Sequence, residues 1–176
     1  AVLTACGGPV EFTEYNLPEF SAIQPVKELK KIFPGLKITK KTPAQGEKII
    51  DVIDALPLKG ASNVLVADIA DSNLPLLNAL GELLSKFSEI YIQTASEELY
   101  DNAPTAIDIT SFLQARGYLL QKTITTDPDL PWLNFSINPL WATLQQSQQE
   151  ATTDKQNLEK LKAESESLRQ ALADKE

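Results

Sequence analysis

The sequence predicts an α/β domain followed by one long helix. Three observations predict it. Strand-like and helix-like segments alternate through residues 1–126, two apolar runs at 63–70 and 88–95 have the composition of sheet strands, and the chain beyond Pro139 holds no further Gly or Pro. With 176 residues, 43% of them hydrophobic, there is room for one globular domain and an appendage.

Each element has a local reason. AVLTAC and VEFTEYN alternate as strands do, and Gly7-Gly8-Pro9 between them predicts a hairpin turn. Residues 26–33 set Val26, Leu29, Ile32 and Phe33 at helical spacing, and Pro34-Gly35 ends that segment. LKIT follows as a strand, then EKIIDVIDAL as a short helix closed before Pro57. NVLVADIA (63–70) is apolar and β-branched, the pattern of a strand buried on both faces of a parallel sheet. Asp71-Ser72-Asn73 can cap the helix over LPLLNALGELLSKF, whose first turn tolerates Pro75.

SEIYIQTA (88–95) is the second buried strand, and AIDITSFLQARG a helix with Gly117 at its C-terminal cap. YLLQKTIT and WLNFSIN close the domain. No helix separates them, so they are expected to pair antiparallel at the sheet edge. Alternation with short loops implies right-handed crossovers and a mostly parallel sheet, a partial Rossmann-like layout. The layout is partial because no GxGxxG turn follows a strand and opens a helix; Gly7-Gly8 leads into Pro9 and another strand. The cofactor-loop part is therefore expected upstream, and the absence of any Met fits a piece of something longer.

Composition removes several functions. The absence of His takes away His-based general base catalysis, the Ser-His-Asp arrangement and most zinc chemistry. Cys6 is the one cysteine, so neither an internal disulfide nor a CxxC motif can form. A net charge of −8 argues against a nucleic-acid partner. No apolar run nears the roughly 18 residues that span a membrane, so a membrane partner is not expected and the default location is cytoplasmic.

The tail predicts a coiled-coil helix over 139–176. With Leu144 at an a position, the a and d sites are Leu140, Leu144, Ser147, Ala151, Asp154, Leu158, Leu161, Ser165, Leu168 and Leu172. In a parallel pair this register sets Glu150 against Lys155 and Glu164 against Arg169. Polar Ser147, Asp154 and Ser165 weaken the seam, so the expectation is a weak parallel homodimer through residues 140–172. A single solvated helix held by pairs such as Lys155–Glu159 is the alternative.

The stretch GGPVEFTEYN with Ser21, followed by NVLVADIADSNLPLLNALGELLSKFSEIYIQTASEELYDNAPTAIDITSFLQARGY, resembles the C-terminal two-thirds of FkbM-family methyltransferases. Those are S-adenosylmethionine-dependent O-methyltransferases. The resemblance covers about residues 1–137 and implies a methyltransferase-like domain over 1–138, with no cofactor held by these residues themselves and S-adenosylmethionine held by the complete domain. It also implies a glycan-like substrate, to which the lysine cluster over Lys27–Lys41, read as an electrostatic patch, adds a sugar nucleotide. Asp68 retains the family carboxylate at the end of its strand. Where the family has Gly, Glu and Glu, this chain has Asp71, Asn73 and Gln93. An Asp in place of Gly at a tight turn restricts the backbone and adds bulk.

From the resemblance, Asp68 is the candidate catalytic residue, and Asn16, Ser21, Gln93 and Tyr100 are candidate substrate contacts. Asp68 can equally brace a helix cap, Tyr100 can be packing with a hydrogen bond, and Asn16 and Ser21 can be ordinary loop polars. The cluster Lys27, Lys30, Lys31, Lys37, Lys40 and Lys41 reads either as an anion-binding patch or as a solvated face with a lysine-protected edge strand. The expected function is a catalytically degenerate methyltransferase-like module for interaction or scaffolding. An active O-methyltransferase and a plain structural domain are its rivals.

Overall fold

A computed structural model describes residues 2–58, 62–69 and 71–173, except the side chains of 142, 145, 146, 148, 149 and 166–173. The chain divides into two compact units, Ala1–Ile137 and Asn138–Glu176. No helix among the described residues is long and apolar enough to cross a membrane.

The first unit is mixed α/β with two sheets rather than one. In the smaller sheet, β3 (Ile38–Lys48) lies between β1 (Val2–Thr4), its parallel neighbour, and β2 (Gly8–Tyr15), its antiparallel one. This corrects the expected hairpin. Gly7 and Gly8, at φ of 72° and 95°, do reverse the chain, but they send β1 and β2 to opposite sides of β3. Gly46 faces both Val2 and Gly8, and a Cβ there would meet Thr4 Cγ2 at 2.7 Å, so the close packing of the three strands requires a residue without a side chain. The helix expected over 26–33 shortens to α1 (Leu29–Ile32), the strand expected over LKIT extends to Lys48, and the helix expected from Glu47 shortens to α2 (Ile49–Asp54).

The larger sheet has the order β4 (Asn63–Ala67), β5 (Phe87–Gln93), β7 (Trp132–Ile137), β6 (Tyr118–Ile124). β4 and β5 are parallel, while β7 runs antiparallel to both β5 and β6. The expected antiparallel pair therefore forms, with β7 inserted next to β5. Of the five strand pairings across the two sheets, β1–β3 and β4–β5 are parallel and three are antiparallel, so the expected mostly parallel sheet is corrected to two mixed sheets. The chain reverses between β2 and β3, through a connection that includes the short helix Leu29–Ile32, and between β6 and β7 through a loop, and each of these two reversals produces an antiparallel pair.

Helices pack on one face of this sheet. α3 (Asn73–Leu80) contributes Leu76, Leu77 and Leu80, and α4 (Ala106–Gln114) contributes Ile109 and Leu113, against Ile90, Ile92, Leu133 and Phe135. At roughly 1.5–3 kcal/mol per fully buried aliphatic side chain, this cluster is the main source of stability. β4 was expected to be buried on both faces, yet Val64 and Val66 are 51% and 65% exposed because β4 is an edge strand with one open face. The helix expected over 74–87 breaks at Gly81, whose φ of 53° ends α3, and continues as a 3-10 turn to Lys86. Ala70, at the end of the expected strand, lies outside the described residues.

The second unit is α5 (Trp141–Ala173), a single helix of 33 residues. Its Leu144, Leu158 and Leu161 are exposed, as is Leu140 just before it. The expected seam residues Leu168 and Leu172, and Arg169, lie outside the described side chains.

Candidate functional site

In an open α/β sheet, ligands bind beyond the carboxyl ends of parallel strands, because the strand-to-helix loops there surround a crevice. β4 and β5 both end at such a place. Asp68 directly follows β4 and Gln93 ends β5. A crevice of about 420 Å³ opens at these tips, lined by Asp68, Ile69, Asp71 and Gln93 from this sheet, by Glu19–Ala22 and Phe33, and by Leu99, Tyr100, Asp127 and Leu130. Four of the five residues singled out from sequence, Asp68, Ser21, Gln93 and Tyr100, line this one crevice.

Asn16 does not. Its Nδ2 donates to the Gly35 carbonyl at 3.2 Å and its Oδ1 accepts the Lys37 amide at 2.7 Å. It staples the end of β2 to the start of β3 and lies outside the lining of the crevice.

Asp71 organises the crevice wall. It is buried, and one carboxylate oxygen accepts the backbone amides of Ile23 at 2.9 Å and Gln24 at 3.1 Å, while the other accepts the Ser72 hydroxyl at 2.9 Å. The segment 17–25 is thereby tied to the turn between β4 and α3. Two further contacts fix the same segment: the Tyr100 hydroxyl donates to the Phe20 carbonyl at 3.1 Å, and Ser21 Oγ accepts the Tyr15 amide at 3.2 Å. The expected cost of an Asp at this turn is corrected here. Asn102 is the one non-glycine residue with positive φ among the described residues, so the backbone at 71 is unstrained and its side chain carries a wall of the crevice.

The expected side-chain cap from Asp71-Ser72-Asn73 is also corrected. Ser72 occupies the cap position of α3 but its hydroxyl is turned to Asp71. Asn73, buried at the start of α3, donates from Nδ2 to the Gln93 carbonyl at 2.7 Å and so joins α3 to the tip of β5. Its Oδ1 is buried without a hydrogen-bond partner among the described residues.

The polar groups of the crevice differ in what they are free to do. Tyr100 is committed to Phe20, and burial, then the nearby Asp71 charge, push its hydroxyl pKa upward, so it stays a protonated donor. Asp127 Oδ1 accepts the amides of Asp129 and Leu130, closing the turn that leads into β7. The carboxylates of Asp68 and Glu19 and the side-chain amide of Gln93 make no hydrogen bond or ion pair with the described residues. No group of three or more His, Cys, Asp or Glu among the described residues is placed to hold a metal ion.

Sequence reasoning missed Glu19, Phe20, Asp127 and Leu130. The turn signal Asp127-Pro128-Asp129 was visible, but its location depends on β7 pairing with β5. Because Trp132 lies opposite Gln93, the loop entering β7 must reach the tip of β5.

The lysine cluster forms no such site. Lys27 pairs with Glu98, Lys31 with Glu28, Lys40 with Glu14 and Lys41 with Glu11, all at the surface. Four of its six positive charges thus have adjacent carboxylates, and β3 is the central strand of its sheet rather than an edge; β1 covers the other flank only at Gly46–Lys48. The anion-patch reading loses its basis.

No protein-family model, no curated protein and no solved structure matches the chain.

Proposed function

We propose that residues 1–138 are a methyltransferase-like, partly Rossmann-like module that binds rather than transforms its ligand, carried on a self-associating helix. The observation that carries this reading is the fate of the carboxylates at the crevice. General base catalysis on an acceptor hydroxyl needs a free, positioned base. Asp71 is spent on two backbone amides, and Gln93 and Asn73 stand where the resembled family has carboxylates. Asp68 alone of that set is free, and no His exists to assist it. A crevice of about 420 Å³ lies within the range that holds small ligands, which supports binding.

The tail supplies the second half. Leu144, Leu158 and Leu161 on α5, and Leu140 just before it, follow the heptad register and are exposed, which fits a parallel coiled coil with a second copy. The proposal places the protein in the cytoplasm, where its exposed thiol, Cys6, stays reduced, and the acidic net charge of −8 argues against a nucleic-acid partner.

Calorimetric titration of the protein with S-adenosylmethionine tests the reading. No micromolar binding is expected. Micromolar binding with methyl transfer to a hydroxyl acceptor overturns it in favour of an active O-methyltransferase, with Asp68 as the base.

A further inference from the structure

We propose that the crevice at the tips of β4 and β5 selects a small amine-bearing ligand and rejects phosphate-bearing ones, a conclusion that rests on its reading as a ligand site. The concavity and its uncommitted groups mark the site; the charge of its walls decides the class of ligand. Four carboxylates line it, Glu19, Asp68, Asp71 and Asp127, and no Lys or Arg among the described residues does. Low-dielectric walls concentrate the field of charges around a cleft, so a cation is drawn in and a dianion repelled.

The uncommitted groups have matching chemistry. The carboxylates of Asp68 and Glu19 are acceptors, each able to take an ammonium N–H, and the Gln93 amide can both donate to and accept from a hydroxyl. Phe20, Phe33, Leu99 and Leu130 supply the apolar part of the wall. Phosphate recognition has no equivalent support. It requires Lys or Arg, or amides of a glycine-rich turn at a helix start. The crevice turn runs through Asp71, whose negative carboxylate already occupies the Ile23 and Gln24 amides. A sugar nucleotide is therefore the wrong substrate class for this site, and an amino compound the right one.

A series that shares the glucose ring and differs in charge tests this on the full chain: glucosamine, glucose and glucose 6-phosphate, titrated by calorimetry and by amide chemical shifts. Glucosamine is expected to bind with Kd of about 1 mM, about tenfold tighter than glucose, and to weaken severalfold between low and physiological salt. Glucose 6-phosphate is expected not to bind. The double variant Asp68→Asn/Glu19→Gln removes two charges that brace nothing. It should melt at the same temperature and bind glucosamine and glucose alike. Glucose 6-phosphate binding as tightly as glucosamine overturns the inference, as does glucosamine affinity that salt and the double variant leave unchanged, or the absence of shifts for every probe. S-adenosylmethionine is the control: its micromolar binding together with methyl transfer to a hydroxyl acceptor removes the non-catalytic reading, whereas loss of the charge order among the sugars removes only this one.

Discussion

The carboxylate of Asp71 receives the backbone amide of Ile23 at 2.9 Å, across 48 residues of sequence. The same oxygen holds the Gln24 amide. A carboxylate that satisfies two amides inside the fold does what a glycine cannot, since it closes the segment that carries Glu19, Phe20 and Ser21 over the tips of β4 and β5. Asp71→Gly, the residue that the resembled family carries, is expected to destabilise the first unit. Leaving two amides without their charged acceptor costs about 2–3 kcal/mol. Urea unfolding checks the loss, and faster amide exchange at Ile23 and Gln24 checks its location.

Tyr118 makes a second prediction. It is 1% exposed, and its hydroxyl lies 2.6 Å from the Leu84 carbonyl and 2.7 Å from that of Phe87, holding the 3-10 turn before β5 to the start of β6. Burial pushes its pKa up to about 12 from 10.0. Because the folded value lies above the unfolded one, the stabilisation is complete below pH 10 and is lost as pH rises toward 12. Unfolding free energy should fall by about 2 kcal/mol across that window. Tyr118→Phe should be less stable at neutral pH by about 1–2 kcal/mol, from the unpaired carbonyls, and should show a shallower alkaline decline. The decline should persist in part, because Tyr100 is shifted in the same direction.

How much of this was legible beforehand depended on where the information resided. The β4–β5 unit was readable because apolar, β-branched runs of strand length flank one amphipathic helix, and that pattern forces a parallel pair. Asp68, Gln93 and Tyr100 then follow, since residues just past two parallel strands share one end of the sheet. β3 was not readable beyond Thr39. Its KKTPAQGEK stretch has little strand propensity of its own, and it is extended because β2 and β1 supply its hydrogen-bond partners. Asp71 was misjudged for a related reason. Its role depends on Ile23 and Gln24, and no local pattern announces a bond that joins segments so distant in sequence.

The N-terminus of α4 carries a reciprocal cap. Thr105 Oγ1 accepts the Asp108 amide, and the Asp108 carboxylate accepts both the Thr105 amide and its hydroxyl. Those bonds, the hydroxyl first, hold the Asp108 pKa below its usual range. Thr105→Ala should cost about 1 kcal/mol, read from the denaturation midpoint, and should return the Asp108 pKa toward its ordinary value in a carboxyl titration by NMR.

Gly46 offers a test of close packing. Gly46→Ala places a methyl 2.7 Å from Thr4 Cγ2 and 3.0 Å from Thr4 Oγ1. The three strands must spread, at a cost of about 1–3 kcal/mol. Thr4→Ser keeps the hydroxyl that accepts the Gly7 amide at 2.8 Å while deleting the nearer methyl. The double variant should therefore recover part of the loss, and a double-mutant cycle should show coupling above about 0.5 kcal/mol. Strict additivity would mean that β1 can move away freely.

The tail yields the last prediction. Asp154 is exposed on α5, and in the proposed heptad register it takes a d position between Ala151 and Leu158. In a parallel pair the two Asp154 side chains meet in the seam, where like charges weaken association. Asp154→Leu replaces that repulsion with an apolar contact and should raise the dimerisation constant about tenfold or more at unchanged helix content. Leu158→Asp should act in the opposite sense and leave a monomer. Sedimentation equilibrium of the two variants beside the parent gives the order directly: if all three sediment as monomers at high concentration, α5 is a solitary helix and the seam has no partner in a second copy.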